Sequence, residues 1–76
     1  MIDHRAQLLT RASARDDSAA DCEELLRTLR LDLARAIRGS DEARYYAARI
    51  LVAMGDRDRA RATADYYRDK AAEMGK

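Results

Sequence analysis

The fold of this chain is decided by residues 22–42, which read CEELLRTLRLDLARAIRGSDE. Apolar residues recur in the first part of this stretch at alternating spacings of four and three, which is the pattern of a coiled-coil seam. Gly39 then suits the left-handed position that follows a helix, and Ser40, with two acids after it, suits the N-cap of the next one. A linker this short favours an antiparallel helical hairpin. The residues of the first seam are Cys22, Leu26, Leu29, Leu33 and Ala36.

A second seam begins directly after this linker and keeps its phase almost to the end of the chain. Only Arg57 is out of character in it. Because a turn at Gly55-Asp56 would usually reset the phase, the pattern favours one helix over residues 41–74, with a bend or a break at 55–56 as the alternative. The second seam consists of Ala43, Tyr46, Ile50, Ala53, Arg57, Ala60, Ala64, Tyr67, Ala71 and Met74.

The first helix is expected to begin at an N-cap formed by Asp17-Ser18 and to cover residues 18–38. Residues 1–17 are polar and weakly patterned, with Ala6 and Leu9 on one side, so we expect them to be weakly ordered or to form a possible short helix. The sequence therefore predicts a single small all-α domain over residues 1–76, built as an antiparallel helical hairpin.

Composition limits both the core and the ligand. Of the 76 residues, sixteen are alanine, against eight leucines, three isoleucines and one valine, so a core built from them buries little area and favours stabilisation by a partner. The formal net charge is +1 and is spread evenly, which argues against nucleic acid or an anionic membrane as the main ligand. The first five residues lack the apolar core of a signal peptide and no apolar run approaches spanning length, so we expect a cytoplasmic protein.

No pattern of catalytic or metal-binding residues is found. His4 is the only histidine and has no partner that its spacing identifies. Cys22, the only cysteine, falls on the apolar seam and is interpreted as a core thiol, so neither a disulfide nor a zinc site is expected. The alternating charges of residues 56–61 are interpreted as a solvated helix face. We therefore expect no catalytic residue, no metal, no cofactor and no enzymatic activity.

The four tyrosines are the only aromatic residues, and the heptad divides them by role. Tyr46 and Tyr67 fall on the inner seam, whereas Tyr45 and Tyr66 share a stripe with Val52 that points away from it. The stretch from Tyr45 to Met54 is apolar almost all round, and Leu31 on the first helix also points away from its seam. Leu25 and Ile37 are expected to widen that first seam. The predicted hairpin core is Leu26, Leu29, Leu33, Tyr46 and Ile50, and the predicted partner-binding face is Tyr45, Leu51, Val52, Met54 and Tyr66.

Two families share features with the chain. Ala48, Gly55, Asp56 and Ala60 resemble the small residues and the helix-turn-helix of a tetratricopeptide repeat, although Arg44, Ala47 and Ala64 stand where that motif has large residues.

The second resemblance covers residues 21–70. The run Arg30-Leu31-Asp32-Leu33-Ala34-Arg35, a glycine-containing turn, the triplet Ile50-Leu51-Val52 and the run Tyr66-Tyr67-Arg68 resemble the small helical-hairpin co-chaperones of the type III secretion needle subunit. This resemblance implies a non-catalytic cytoplasmic bacterial protein that serves virulence. It would pair with a tetratricopeptide-like chaperone and help to keep the needle subunit soluble.

Three alternatives to a co-chaperone stay open. A tetratricopeptide-like scaffold fragment would show a helix break at Gly55, and a self-associating helical bundle would form a homo-oligomer without any other protein. A nucleic-acid-binding regulator would need a basic stripe, which the charge balance makes the weakest of the three.

Overall fold

The computed structural model describes residues 3–75, which form two long α-helices joined by a tight turn. Helix α1 covers His4–Arg35 and helix α2 covers Asp41–Met74. The helices pack side by side in opposite directions, and the molecule measures 57 × 14 × 14 Å. Its radius of gyration of 17.2 Å exceeds the roughly 11 Å expected of a globular chain of this length. The predicted all-α hairpin is therefore confirmed, and its shape is a rod.

The prediction for the N-terminal segment is wrong over the described residues 3–17, whereas Met1 and Ile2 lie outside them. Helix α1 begins at His4, and the Asp3 carboxylate caps it by accepting from the backbone N–H groups of Arg5 and Ala6 at 3.0 and 3.3 Å. Ser18 caps nothing, because its hydroxyl donates to the Ala14 carbonyl one turn earlier in the same helix at 3.1 Å.

The cause of this longer helix is the seam, which continues backwards from Cys22 in the same phase. Ala19 and Ala12 are buried and Leu8 is half-buried, while Arg15 and Arg5 are the exposed positions in this register. Ala6 and Leu9, the residues expected to face inward, are exposed. Burial of small side chains against α2 is thus enough to order a segment that local propensity alone leaves weak.

The turn between the helices starts earlier than predicted. Helix α1 ends at Arg35, and the N–H of the extended Ala36 donates to the Asp32 carbonyl at 3.1 Å. The Ser40 N–H then donates to the Ile37 carbonyl at 3.0 Å across a turn in which Gly39 has a φ of 80°. Ile37 is 80% exposed here and does not widen the seam as expected.

Ser40 caps α2 as predicted. Its hydroxyl accepts from the Ala43 N–H at 3.1 Å, with Asp41 and Glu42 in the first turn of the helix. Helix α2 then runs unbroken through Gly55, which confirms the favoured continuous helix and removes the break that a tetratricopeptide repeat requires.

The two interior glycines give a matched test of this backbone. A methyl group added at Gly39 or Gly55 would meet nothing within 4 Å, so only the backbone conformation matters at either position. We expect Gly39→Ala to lower the free energy of unfolding by about 1 kcal/mol, because φ there is left-handed. Gly55→Ala is expected to raise it by about 1 kcal/mol, because alanine favours the helix interior. Urea unfolding followed by circular dichroism measures both, and changes of the same sign would contradict this account.

The helix seam has two parts of different character. Near the turn, the buried side chains of Leu26, Leu29 and Ala53 form a core against which Tyr46, Ile50 and Met54 pack. We call the part formed by residues 25–54 the tip. In the remainder, which we call the stem, the seam residues Leu8, Arg57 and Tyr67 are half-buried, and the fully buried side chains are all alanines. These are Ala12, Ala19, Ala60, Ala64 and Ala71.

Candidate partner-binding surface

The large apolar side chains that remain in water are concentrated at the tip. Of the nine that are exposed among the described residues, six lie between Leu25 and Val52, although this part contains less than half of the chain. Scattered single apolar residues are ordinary on a protein surface, whereas a contiguous apolar patch is typical of a contact site. The six are Leu25, Leu31, Ile37, Tyr45, Leu51 and Val52.

Four of the five residues predicted for the partner-binding face are exposed, namely Tyr45, Leu51, Val52 and Tyr66. The fifth, Met54, is half-buried and packs against the hairpin core, so its expected place on an outer face is wrong. Its position beside the seam explains the difference, because a long flexible side chain there can fold over the leucines of α1.

The exposed residues of α2 do not form one continuous patch. Val52 lies beside Leu25 of α1, and the two line a shallow depression together with Arg49, Ala53 and Asp56. Leu51 is rotated from Val52 by about 100° around the helix and so faces a different side. Tyr66 lies fourteen residues beyond Val52, roughly 21 Å along the same helix. The part of the predicted face that two helices build jointly is therefore the depression at Leu25 and Val52.

The position of Leu25 differs from the sequence prediction. It was expected to widen the inner seam, but it is 40% exposed and borders the depression. Its position one step off the seam fits either role. Only the alignment of the two helices, which brings Val52 next to it, decides between them.

Both exposed tyrosines are held in defined orientations. The Tyr45 and Tyr46 rings meet edge to face with centroids 5.6 Å apart, and Tyr66 and Tyr67 repeat the arrangement at 5.7 Å. The Arg49 guanidinium lies 6.0 Å from the Tyr45 ring centroid and the Lys70 ammonium 5.7 Å from that of Tyr66. Each outer ring thus has a cation four residues later and a seam tyrosine beside it, which lowers the entropy cost of using it as an anchor.

The stem carries ion pairs across the helix interface at heptad spacing. Arg68 pairs with Asp16 at 2.7 Å, and Arg61 pairs with Glu23 at 2.9 Å. The two positions are seven residues apart on both helices, so the same flank of the coiled coil repeats the same contact. Charges at such flanking positions set the orientation and alignment of coiled-coil partners. Alanine side chains are too small to interlock in one register, so an alanine seam does little to set that alignment by itself.

Arg57, the anomalous residue of the second seam, is explained by this network. Its side chain is 16% exposed and donates to Glu23 on α1 at 3.0 Å and to Asp58 at 3.1 Å. The hydrogen bonds to Asp58 and then Glu23 raise the pKa of Arg57, and those to Asp65 and Asp16 raise the pKa of Arg68. Because a raised pKa stabilises the fold at every pH below the ordinary value of arginine, this contribution is fully present across the physiological range.

The described residues show no arrangement suited to metal binding. Among residues 3–75, no group of three or more His, Cys, Asp or Glu residues is placed to hold a metal ion. The Cys22 thiol is free and half-buried on the seam, and His4 is exposed at the start of α1. Within the same range, neither helix has a stretch apolar and long enough to cross a bilayer. The absence of enzymatic activity stays a prediction.

Comparisons with known proteins add no relative to this description. No protein-family model matches the chain, and searches of curated proteins and of solved structures found no match either.

Proposed function

We propose that this chain is a non-catalytic protein-binding module whose tip is buried by a partner. The observation that carries the proposal is the concentration of exposed apolar side chains around the short core near the turn. An amphipathic helix that presents such residues at its surface commonly lies in the apolar groove of another protein.

The exposed area of the hairpin leaves room for a partner. The chain exposes 5878 Å², whereas a monomeric protein of 8.6 kDa typically exposes about 4,700 Å². The excess of roughly 1,200 Å² is of the size that one side of a stable protein–protein interface removes from water, which is about 800 Å². The rod shape of the hairpin accounts for this excess, which is large enough for one full interface.

The sequence resemblance suggests the class of partner. We propose that the chain acts in the bacterial cytoplasm as a co-chaperone, which together with a tetratricopeptide-like chaperone keeps a type III secretion needle subunit soluble. The runs that carry the resemblance include Leu31, Leu51 and Val52, and all three are exposed at the tip. Helical-repeat proteins bind their partners on extended concave surfaces, and we expect the tip to be buried on such a surface.

The proposal is tested by recovering the partner from cells of the source organism. The tagged full-length chain is purified with its bound proteins as wild type, as Val52→Asp and as Ala62→Asp, which alters an exposed stem position of the same helix. We expect the wild type and Ala62→Asp to retain both a tetratricopeptide-like chaperone and a needle subunit. Val52→Asp is expected to lose at least about 90% of both, because a carboxylate would be buried in an apolar contact.

Two results would overturn this function. One is recovery of neither protein with the wild type, and the other is equal recovery with Val52→Asp. Circular dichroism of the purified variants confirms that each is folded, since position 52 is 62% exposed and tolerates the change in the isolated hairpin.

A further inference from the structure

The hairpin separates charges that are evenly spread along the sequence. The tip, residues 25–54, contains six arginines and three acids, so its formal charge is +3. The rest of the chain contains nine basic and eleven acidic residues, so its formal charge is −2. The net charge of +1 therefore belongs to a rod with a basic end and a weakly acidic stem. The tip arginines are Arg27, Arg30, Arg35, Arg38, Arg44 and Arg49.

Most of these arginines have no acidic partner within the chain. All six are exposed, and over residues 3–75 only Arg44 among them forms an ion pair, with Asp41 at 3.6 Å. In the stem, by contrast, every basic residue of α2 from Arg57 to Lys70 pairs with a carboxylate. The tip thus presents guanidinium groups that are able to pair with a second molecule.

Two of the unpaired arginines flank an exposed leucine on α1. Leu31 is 54% exposed, and Arg27 and Arg35 lie one helical turn before and after it, so the three side chains share one face of the helix. This face lies on α1, outside the partner-binding face that the sequence predicted on α2. It alternates charged and apolar side chains, which favours a partner that offers carboxylates on both sides of an apolar site.

A third unpaired arginine lies beside the apolar residues of α2. Arg49 lines the depression at Leu25 and Val52, and its guanidinium group lies 6.0 Å from the centroid of the Tyr45 ring. Arginine and tyrosine are among the residue types that contribute most to binding in protein interfaces. The same combination of an apolar side chain and a guanidinium group therefore occurs on both helices of the tip.

We propose that the protein surface that buries the tip is acidic as well as apolar. Its carboxylates pair with Arg27, Arg35 and Arg49, while Leu31 and Val52 fill apolar sites between them. Arginine suits this role because its planar guanidinium group binds a carboxylate through two parallel hydrogen bonds. The inference rests on the proposed function, which supplies the binding surface, and adds the chemistry of the partner and the outer face of α1.

A protein fits this surface better than an anionic bilayer or a nucleic acid. Asp41 and Glu42 are exposed in the first turn of α2, at the end of the rod that would meet a bilayer first, and anionic headgroups would repel them. A phosphate backbone would pair with the arginines but leave Leu31 and Val52 in water. A groove in a protein satisfies both kinds of side chain.

Paired charge reversals test the assignment. One double variant, Arg27→Glu with Arg49→Glu, changes one arginine on each helix of the tip. The other, Arg11→Glu with Arg15→Glu, changes two exposed stem residues. Both have a formal charge of −3, four below the +1 of the wild type, so only the place of the charge differs. Surface plasmon resonance measures the binding of each full-length chain to the purified chaperone that the wild type retains, between about 0.05 and 0.5 M salt.

We expect the tip reversal to bind at least about tenfold more weakly and the stem reversal to stay within about twofold of the wild type. The affinity of the wild type should fall with added salt, whereas that of the tip reversal should change little. Equal affinities of the two double variants would overturn the proposal. Flotation of the wild type with phosphatidylglycerol vesicles that the tip reversal abolishes would also overturn it, because lipid would then be the ligand. Circular dichroism checks that both variants keep their helical content.

The outcomes also separate this proposal from the proposed function. If the chaperone binds both double variants equally but not Val52→Asp, the charge assignment is wrong and the function stands. If the retained protein belongs to another class and the same two variants differ tenfold in binding it, the function is wrong and the charge assignment stands. Retention of no protein by the wild type overturns both.

Discussion

Leu26→Ala is expected to lower the free energy of unfolding by about 3 kcal/mol, the largest effect of any single truncation in this chain. Leu26 is the only large side chain among the described residues that is completely removed from water. Its loss removes apolar contact area and leaves a cavity that two long helices cannot close locally. A chain of this size has only roughly 4–11 kcal/mol of stability, so the melting temperature of the variant should fall by roughly 12–24 °C.

Leu31→Ala is the matched control for this experiment. It makes the same chemical change in the same helix, but Leu31 is 54% exposed and faces away from the seam. We expect its free energy of unfolding, measured in urea, to lie within about 0.5 kcal/mol of the wild type. Equal losses for the two variants would show that the tip is not held together in the way described.

Ala64→Leu is expected to have the second-largest effect, a loss of about 2 kcal/mol with separation of the stem helices. Ala64 has no exposed surface and lies on the alanine seam, where a larger side chain has no space. Added apolar volume would therefore destabilise the protein, opposite to its effect at a partly filled core position. Ala62→Leu, two residues earlier and exposed, is the control and should change stability by less than about 0.5 kcal/mol.

The measurement for Ala64→Leu combines two observables. Urea unfolding gives the stability, and hydrogen exchange followed by mass spectrometry reports which part of the rod has loosened. We expect faster exchange in residues 4–19 and 60–74 and little change around Leu26 and Ile50. An unchanged or increased stability would contradict close helix packing through alanine.

The inner face of α2 is the part of the fold that the sequence predicted best. Its ten seam positions are buried or half-buried with the exception of Met74, the last residue of the helix, which is exposed. The uninterrupted heptad pattern made this prediction possible, and a single glycine destabilises a helix too little to break it. The capping role of Ser40 followed from the same kind of local rule.

The start of α1 could not be predicted with the same rules. Ala12 and Ala19 are in phase with the seam, but alanine is equally common on exposed helix faces and gives no apolar signal of its own. Asp17-Ser18 then indicated a helix start at the wrong position, because aspartate and serine are residue types that commonly cap helices. The signal that was available is the distance from Cys22, since counting back in threes and fours reaches both alanines.

The sequence predicted which residues of the candidate site are exposed better than it predicted how these residues are arranged. Tyr45, Leu51 and Val52 were identified correctly as exposed, but their division between two sides of α2 depends on which residues of α1 lie next to them. That alignment involves contacts between residues far apart in sequence, such as Glu23 with Arg61, which no local pattern contains. Whether these residues bind a partner stays a prediction.

The difference between the tip and the stem also favours one order of folding. Contacts at the tip join residues close in sequence, whereas Glu23–Arg57 and Asp16–Arg68 join residues 34 and 52 positions apart. Closing a short loop loses less chain entropy than closing a long one, and the large side chains are placed where closure is easiest. The hairpin should therefore nucleate at its turn and zip towards its two ends, so that a nascent chain presents its binding surface before the termini have come together.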